Sequence, residues 1–376
     1  MAKLGDIATY INGYAFKPQD WSDEGIPIIR IQDLTGNSYQ ANRYNGEYAS
    51  KYEVNDGDVL ISWSASLGVY VWHGEKAVLN QHIFKVVFDK ERISKDFFVH
   101  QVGLILENAA SDAHGATMKH LTKPVFDALP FYLPPYEKQC EIAEVLDKVC
   151  ELISLRKQQL AKLDELVKAR FVEMFGDPVY NEMHWETKRL IDICRTIVDC
   201  PHSTPHYTTK DTGYKCIRTS AVKKNKILWE KVECISKQEY EERIKRKRPE
   251  KGDVIYTREG AILGIAAVID RDYNVALGQR SMLLSPDIYQ CTPCFLSMAM
   301  NFDSFLGKAL GGVSGSASPH INVGDIKALE IIAPPIEIQN QFSTFVEQVD
   351  QQKQTVQESL EKLELMKKAL MQEYFG

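Results

Sequence analysis

Residues 129–176 and 329–376 are two copies of one stretch. Aligned at a constant offset of 200 and without a gap, the copies agree at 14 of 48 positions, and an internal duplication limits the possible folds more than any composition does. The first copy opens Leu129-Pro130-Phe131-Tyr132-Leu133-Pro134-Pro135-Tyr136-Glu137-Lys138-Gln139 and closes Glu173-Met174-Phe175-Gly176. The second opens Leu329-Glu330-Ile331-Ile332-Ala333-Pro334-Pro335-Ile336-Glu337-Ile338-Gln339 and closes Glu373-Tyr374-Phe375-Gly376.

After each proline pair the apolar residues alternate spacings of four and three. The first seam is Ile142, Leu146, Val149, Ile153, Leu160, Leu163, Val167 and Met174, interrupted by Arg156 and Arg170. The second is Phe342, Val346, Val349, Val356, Leu360, Leu363, Leu370 and Tyr374, interrupted by Lys353 and Lys367. A spacing averaging about 3.5 holds one stripe against a partner helix. Proline before the first turn and glycine just past the end bound the helices near Glu137–Phe175 and Glu337–Phe375. At about 1.5 Å per residue each is about 58 Å long. The charged breaks fall at different places in the two seams, which predicts an intramolecular pair and not a self-associating dimer. The candidates for helix pairing and partner docking are Val149, Ile153, Leu160, Leu163, Phe171, Phe175, Val349, Val356, Leu360, Leu363, Leu370 and Phe375.

The repeat extends beyond the helices. Lys3-Leu4-Gly5-Asp6-Ile7 is echoed by Arg189-Leu190-Ile191-Asp192-Ile193, Gly57-Asp58-Val59-Leu60 by Gly252-Asp253-Val254-Ile255, and Gly115–His120 by Gly315–His320. The offset drifts from 186 to 200, so the two globular parts differ most in their loops. Strands are expected at Gly25–Ile31, Gly57–Ile61, Val69–Trp72, His82–Val87, Gly213–Arg218 and Gly252–Tyr256, and a helix at Phe97–Asn108. The expected class is α/β, of mixed α+β type: globular domains at 1–135 and 177–335, and repeated helices at 136–176 and 336–376.

With 376 residues the chain can bury two or three separate cores. A net charge of -6 excludes a uniformly basic surface. No run of about 18 apolar residues occurs, and a cytoplasmic protein is expected. Eight scattered cysteines do not form a disulfide scaffold, and the only Cys-x-x-Cys, Cys291 to Cys294, has no second pair at finger spacing. Leu133-Pro134-Pro135-Tyr136 imitates the motif of amino-methyltransferases, but leucine cannot accept the hydrogen bond that their first residue accepts. There is no GxGxxG and no phosphate loop, so neither a catalytic residue nor a bound cofactor or metal is expected in this chain.

Local charge points toward nucleic acid. Residues 223–251 hold 11 Lys or Arg against 6 Glu, a pattern that can meet phosphates and release counterions. The candidate DNA-binding residues are Arg30, Gln32, Arg43, Lys51, Ser62, Trp63, Ser64, Lys119 and His120 in the first domain. In the second they are Arg218, Lys223, Lys224, Lys226, Lys245, Arg246, Lys247, Arg248, Arg258 and His320. Arg and Gln are types that read base edges.

Two divergent domains alternating with two similar helices, the Gly-Asp-Val-Leu and Gly-Asp-Val-Ile segments, and Pro-Pro-x-Glu-x-Gln twice together resemble the specificity subunit of type I restriction-modification systems across essentially the whole chain. The resemblance implies two target recognition domains separated by an antiparallel helix pair and reading the halves of a split, asymmetric site on double-stranded DNA. It implies two docked copies of a modification subunit that binds S-adenosylmethionine and methylates adenine, and a restriction subunit that can join. The helix length then caps the half-site separation near about 17 base pairs, with about one helical turn expected. Two other classes remain open: a stand-alone DNA methyltransferase or nuclease, and a coiled-coil adaptor that binds proteins only.

Overall fold

The computed structural model describes residues 1–37, 42–112, 122–260, 262–311 and 320–376. The chain forms two compact units, residues 1–158 with 357–376 and residues 159–356. The long helices are Tyr136–Phe175 and Ile336–Phe375, and each unit contains one globular part together with a piece of both helices.

In the first unit the strands are β1 Ala2–Lys3, β2 Thr9–Asn12, β3 Ile26–Ile29, β4 Arg43–Tyr44, β5 Glu53–Val54, β6 Val59–Ser62, β7 Gly68–Val71, β8 Ala77–Leu79, β9 Ile83–Val87 and β10 Pro130–Phe131. They form an antiparallel sheet in the order β2-β9-β6-β7 and a second sheet in the order β4-β3-β8-β5, in which β3 and β8 run parallel. In the second unit they are β11 Thr187–Arg189, β12 Cys194–Asp199, β13 Tyr214–Ile217, β14 Val222–Lys223, β15 Lys226–Ile227, β16 Glu233–Cys234, β17 Val254–Thr257, β18 Ala266–Val268, β19 Asn274–Leu277, β20 Ser281–Pro286 and β21 Glu330–Ile332. The order β12-β20-β17-β18 repeats the first sheet, and β16-β13-β19, with β13 parallel to β19, repeats the second.

Alternation along the central strands explains how both faces are buried. Val59 and Ile61 of β6 enter the larger core with Tyr10, Phe84, Phe97 and Phe126, while Leu60 enters the smaller core with Ile29, Val54 and Leu79. In β17, Val254 and Tyr256 face the larger core and Ile255 the smaller one. The Gly-Asp-Val motif has the same physical cause in both copies. Gly57 and Gly252 sit at φ of 82° and 94°, where a side chain is strained. Asp58 Oδ2 accepts from the Asn55 amide at 2.8 Å and Asp253 Oδ2 from the Glu250 amide at 2.9 Å, closing the turn before the strand.

The strand expected to reach Ile31 stops at Ile29, because the Arg30 amide donates to Asp33 Oδ2 at 2.8 Å and a helical turn begins. The helix expected at Phe97–Asn108 runs over Lys95–Asp112.

The long helices carry the expected seams. Ile142, Leu146, Val149, Leu163 and Val167 are buried, as are Phe342, Val349, Val356 and Leu360. Within each unit the helix pieces run antiparallel. In the first unit Lys157 pairs with Glu364 at 3.1 Å, and in the second Lys353 pairs with Asp164 at 2.5 Å. Phe171 stacks on Phe295 and meets Phe342 edge-on, and Phe175 meets both edge-on, in the second unit, while Phe375 meets Phe97 in the first.

One buried amide joins helix to domain in both units. Gln139 Nε2 donates to Pro134 O at 2.9 Å and its Oε1 accepts from the Ser94 amide at 2.9 Å. Gln339 does the same with Pro334 O at 2.8 Å and the Thr292 amide at 2.9 Å. Replacing Gln139 with Leu frees two backbone groups and replacing Gln339 frees three, since its Nε2 also donates to Gln290 O at 3.0 Å, so each is expected to lower stability by about 2–4 kcal/mol. The exposed neighbour Lys138, changed to Ala, should leave the melting temperature nearly unchanged. Calorimetric melting of the three variants checks this.

Candidate nucleic-acid interface

The C-terminal ends of β3 and β6 carry Arg30, Gln32, Ser62, Trp63 and Ser64, those of β13 and β17 carry Arg218 and Arg258, and the other candidates stand elsewhere. Several candidates are already committed to the fold. Ser62 is fully buried and its hydroxyl donates to Ser66 O; Ser64 is buried too. Ser62 is the last residue of β6, an inner strand of its sheet, and all four residues of that strand are buried. Trp63 is a packing residue: its ring stacks on Phe84 at 5.7 Å, and Nε1 donates to Asn12 Oδ1 at 3.2 Å. Arg43 braces the β3–β4 ribbon, donating to Gly25 O at 2.6 Å and pairing with Glu75 at 2.8 Å. Arg30 lies 3.6 Å from Asp33, with its guanidinium 5.8 Å from the Trp21 ring centre. Gln32 is half-buried, and the exposed Lys51 lies 4.8 Å above the Tyr52 ring. Lys119 and His120 lie outside the described residues.

The basic run of the second unit is partly neutralised from within. Arg243 is buried; it lies 3.5 Å from Glu239 and donates to Leu277 O and Ser203 O. Lys245 pairs with Glu242 at 2.6 Å, and Lys247 with Glu250 at 2.9 Å. Arg246 donates to Asp199 O at 3.4 Å, and Arg248 to Asn274 Oδ1 at 3.2 Å. Arg258 is 7% exposed and grips Asp199 with two bonds of 2.8 and 3.1 Å, so its guanidinium is committed to a structural pair. Lys224 pairs with Asp303 at 2.7 Å. Lys223 and Lys226 stand exposed on the β14–β15 turn, where Asn225 has φ 61°. Arg218 is exposed, paired with Glu233 at 2.6 Å and 4.1 Å above the Tyr207 ring. His320 is exposed and bridges in strand fashion to Glu259.

The candidates for helix pairing and partner docking lie along the pairing seam. Val149, Leu163, Phe171, Phe175, Val349, Val356 and Leu360 are buried in helix pairing, and Ile153, Leu160, Leu363, Leu370 and Phe375 are half-buried. The exposed apolar residues of the first helix are instead Val145, Leu152, Leu155, Leu166 and Val172.

Burial pushes the thiols of Cys194 and Cys294 up to about 12 and raises that of Cys291 well above its ordinary value. Among the described residues no group of three or more His, Cys, Asp or Glu could hold a metal ion, and no helix is long and apolar enough to cross a membrane.

The sequence reading missed Gln81, His82, Gln279 and Arg280, which follow β8 and β19. The signal was present: Leu79-Asn80-Gln81 and Leu277-Gly278-Gln279 repeat at an offset of 198, between the offsets of motifs that were recognised. Arg258→Ala is expected to strand the Asp199 carboxylate at a cost of about 3 kcal/mol. Lys245→Ala removes an exposed pair and should change stability by less than about 1 kcal/mol. Parallel denaturant titrations measure both.

The family described as Type I restriction modification DNA specificity domain matches residues 1–165 and 182–365. The chain is 25% identical over 374 residues to the type I restriction enzyme EcoBI specificity subunit of Escherichia coli, covering 92% of this chain and 78% of that protein. It is 23% identical over 393 residues to the MjaVIII specificity subunit of Methanocaldococcus jannaschii, covering 99% of this chain and 90% of that one. The solved S subunit of a type I restriction-modification system from M. genitalium superposes with a TM-score of 0.57 at 12% identity, over 98% of this chain and 94% of that one. The globular parts, the paired helices and a family match that spans most of the sequence agree: the chain belongs to the type I restriction modification DNA specificity domain family.

Proposed function

We propose that this chain is the specificity subunit of a type I restriction-modification system, which reads a two-part, asymmetric site on double-stranded DNA and positions methyltransferase subunits there. The observation that carries this reading is the duplication: one fold is built twice around the same sheet orders, while the polar side chains at the strand ends differ. Equal scaffolds with unequal surface chemistry suit two half-sites of different sequence. Two copies of the modification subunit fit the two copies of the Pro-Pro-x-Glu-x-Gln helix. Those subunits bring S-adenosylmethionine and the methyl-transfer chemistry, a restriction subunit joins the same assembly, and the present chain contributes recognition. The exposed apolar side chains of the first helix, and not its buried seam, offer contact to those partners.

The long helices act as the spacer in this proposal. Adding seven residues to each helix at facing positions, near Gln158 and near Glu361, preserves the seam and lengthens the pair by about 10.5 Å, or about three base pairs. The expected outcome is a recognition gap longer by about three base pairs, with both half-sites unchanged, read by sequencing methylated DNA from cells carrying the complex. An unchanged gap rejects the spacer role. S-adenosylmethionine binding or DNA cleavage by the purified chain alone rejects a purely recognising subunit.

A further inference from the structure

The turn that leaves each parallel strand is held by the same backbone bonds in both units. After β8, the Asn80 amide donates to Ile29 O at 3.1 Å, the Trp63 amide to His82 O at 3.4 Å, and the Gly13 amide to Ile83 O at 3.1 Å. After β19, the Gly278 amide donates to Ile217 O at 2.9 Å, the Arg258 amide to Arg280 O at 3.0 Å, and the Cys200 amide to Ser281 O at 3.2 Å. A third element, β6 or β17, and a fourth, the segment after β2 or β12, therefore fix this turn from both sides. What the frame presents is Asn80-Gln81-His82 in one unit and Gly278-Gln279-Arg280 in the other. An arginine ends the neighbouring parallel strand in each case, Arg30 and Arg218.

The side chains on this frame have hydrogen-bonding capacity that the fold leaves unused. Gln279 accepts from Thr204 Oγ1 at 3.4 Å, and its amide N–H groups find no acceptor among the described residues. Gln81 meets His82 Nε2 through its amide nitrogen at 3.1 Å, and no described donor reaches its carbonyl oxygen. The Arg280 guanidinium makes no ion pair or hydrogen bond among the described residues, unlike Arg218, Arg246, Arg248 and Arg258 around it. Arg280 also holds φ at 73°, a conformation that costs a side-chain-bearing residue energy. Its guanidinium lies over Gly260, where an added Cβ would come within 3.3 Å of Nη1. Thr204, Tyr207, Arg218, Gln279 and Arg280 line one open polar cleft.

We propose that this framed turn is the base-reading element of each domain: Gln81 and Gln279 supply a contact common to both half-sites, and His82 and Arg280 make the two half-sites different. The inference rests on the DNA-reading function proposed above. A glutamine amide matches the N6/N7 edge of adenine, and an arginine fork matches the O6/N7 edge of guanine. The His82 ring meets Gln81 through Nε2 and holds Nδ1 buried, so it shapes the edge that Gln81 presents and cannot copy that fork. The unit carrying Arg280 therefore takes guanine at one position where the other unit accepts a different base.

The test uses the chain in complex with its own methyltransferase subunit and maps methylated sites on genomic DNA. Arg280→Gly relieves the backbone conformation while removing the fork, and Arg280→Lys keeps the charge without bidentate geometry. Both are expected to relax base preference at one position of one half-site, with methylation of cognate sites falling about tenfold or more. His82→Ala is expected to relax the other half-site only. Unchanged preferences in all three variants overturn the proposal, as does a uniform loss across all sites without a change in preference, which marks a phosphate contact. A wild-type complex that methylates no two-part site overturns the functional reading itself and this proposal with it.

Discussion

A single buried amide at the root of each long helix is the contact on which the rest of the structure depends. Gln139 and Gln339 each bond the carbonyl of the first proline of the pair and the amide at the start of a domain helix. These are orphan groups that helix and turn geometry create and that burial makes expensive. The proline pair ends the strand, the glutamine closes the corner, and the helix leaves the domain in one direction only. This explains why Glu-x-Gln persists in both copies while the residues around it diverge. A hydrophobic residue could fill the volume at 139, but it could not answer two backbone dipoles.

From that root the helix seams follow a simple division of surface. The stripe spaced by three and four is consumed by the partner helix and by aromatic residues such as Phe97 and Phe295. What remains outside is polar, apart from a few residues such as Leu152 and Leu155. The same division explains the basic run at 223–251. In sequence it looks like a patch for phosphates. In space Glu242, Glu250 and Asp253 lie at ion-pair distance from its lysines, and Asp199 holds Arg258. A count of charges along the chain cannot distinguish a cation offered to a ligand from one closing a turn.

Much of the architecture was legible because it is local or repeated. Periodicity gave the helices to within a residue of Tyr136–Phe175 and Ile336–Phe375, and the Gly-Asp-Val turns announced the central strands. The parallel pairs escaped notice. Ala77–Leu79 is three residues long and pairs with Ile26–Ile29 some fifty positions earlier, and so short an apolar run has no period to read. The candidate site was legible only in part for the same reason. Arg30 and Arg218 stood out as charged strand ends, whereas Gln81 and Gln279 acquire meaning only beside them.

The sequence by itself determined that the chain is one fold written twice, that each copy ends in a long helix, and that the seams pair within one chain. These are properties of spacing and of residue type, carried by contacts a few residues apart or by the repeat itself. Only the tertiary structure decided which polar side chains are in use and which are left open. Ser62 and Arg258 are buried, while Arg280 stands without a partner among the described residues. That distinction depends on which carboxylates and carbonyls distant segments bring within about 3 Å, and no pattern along the chain encodes those distances directly.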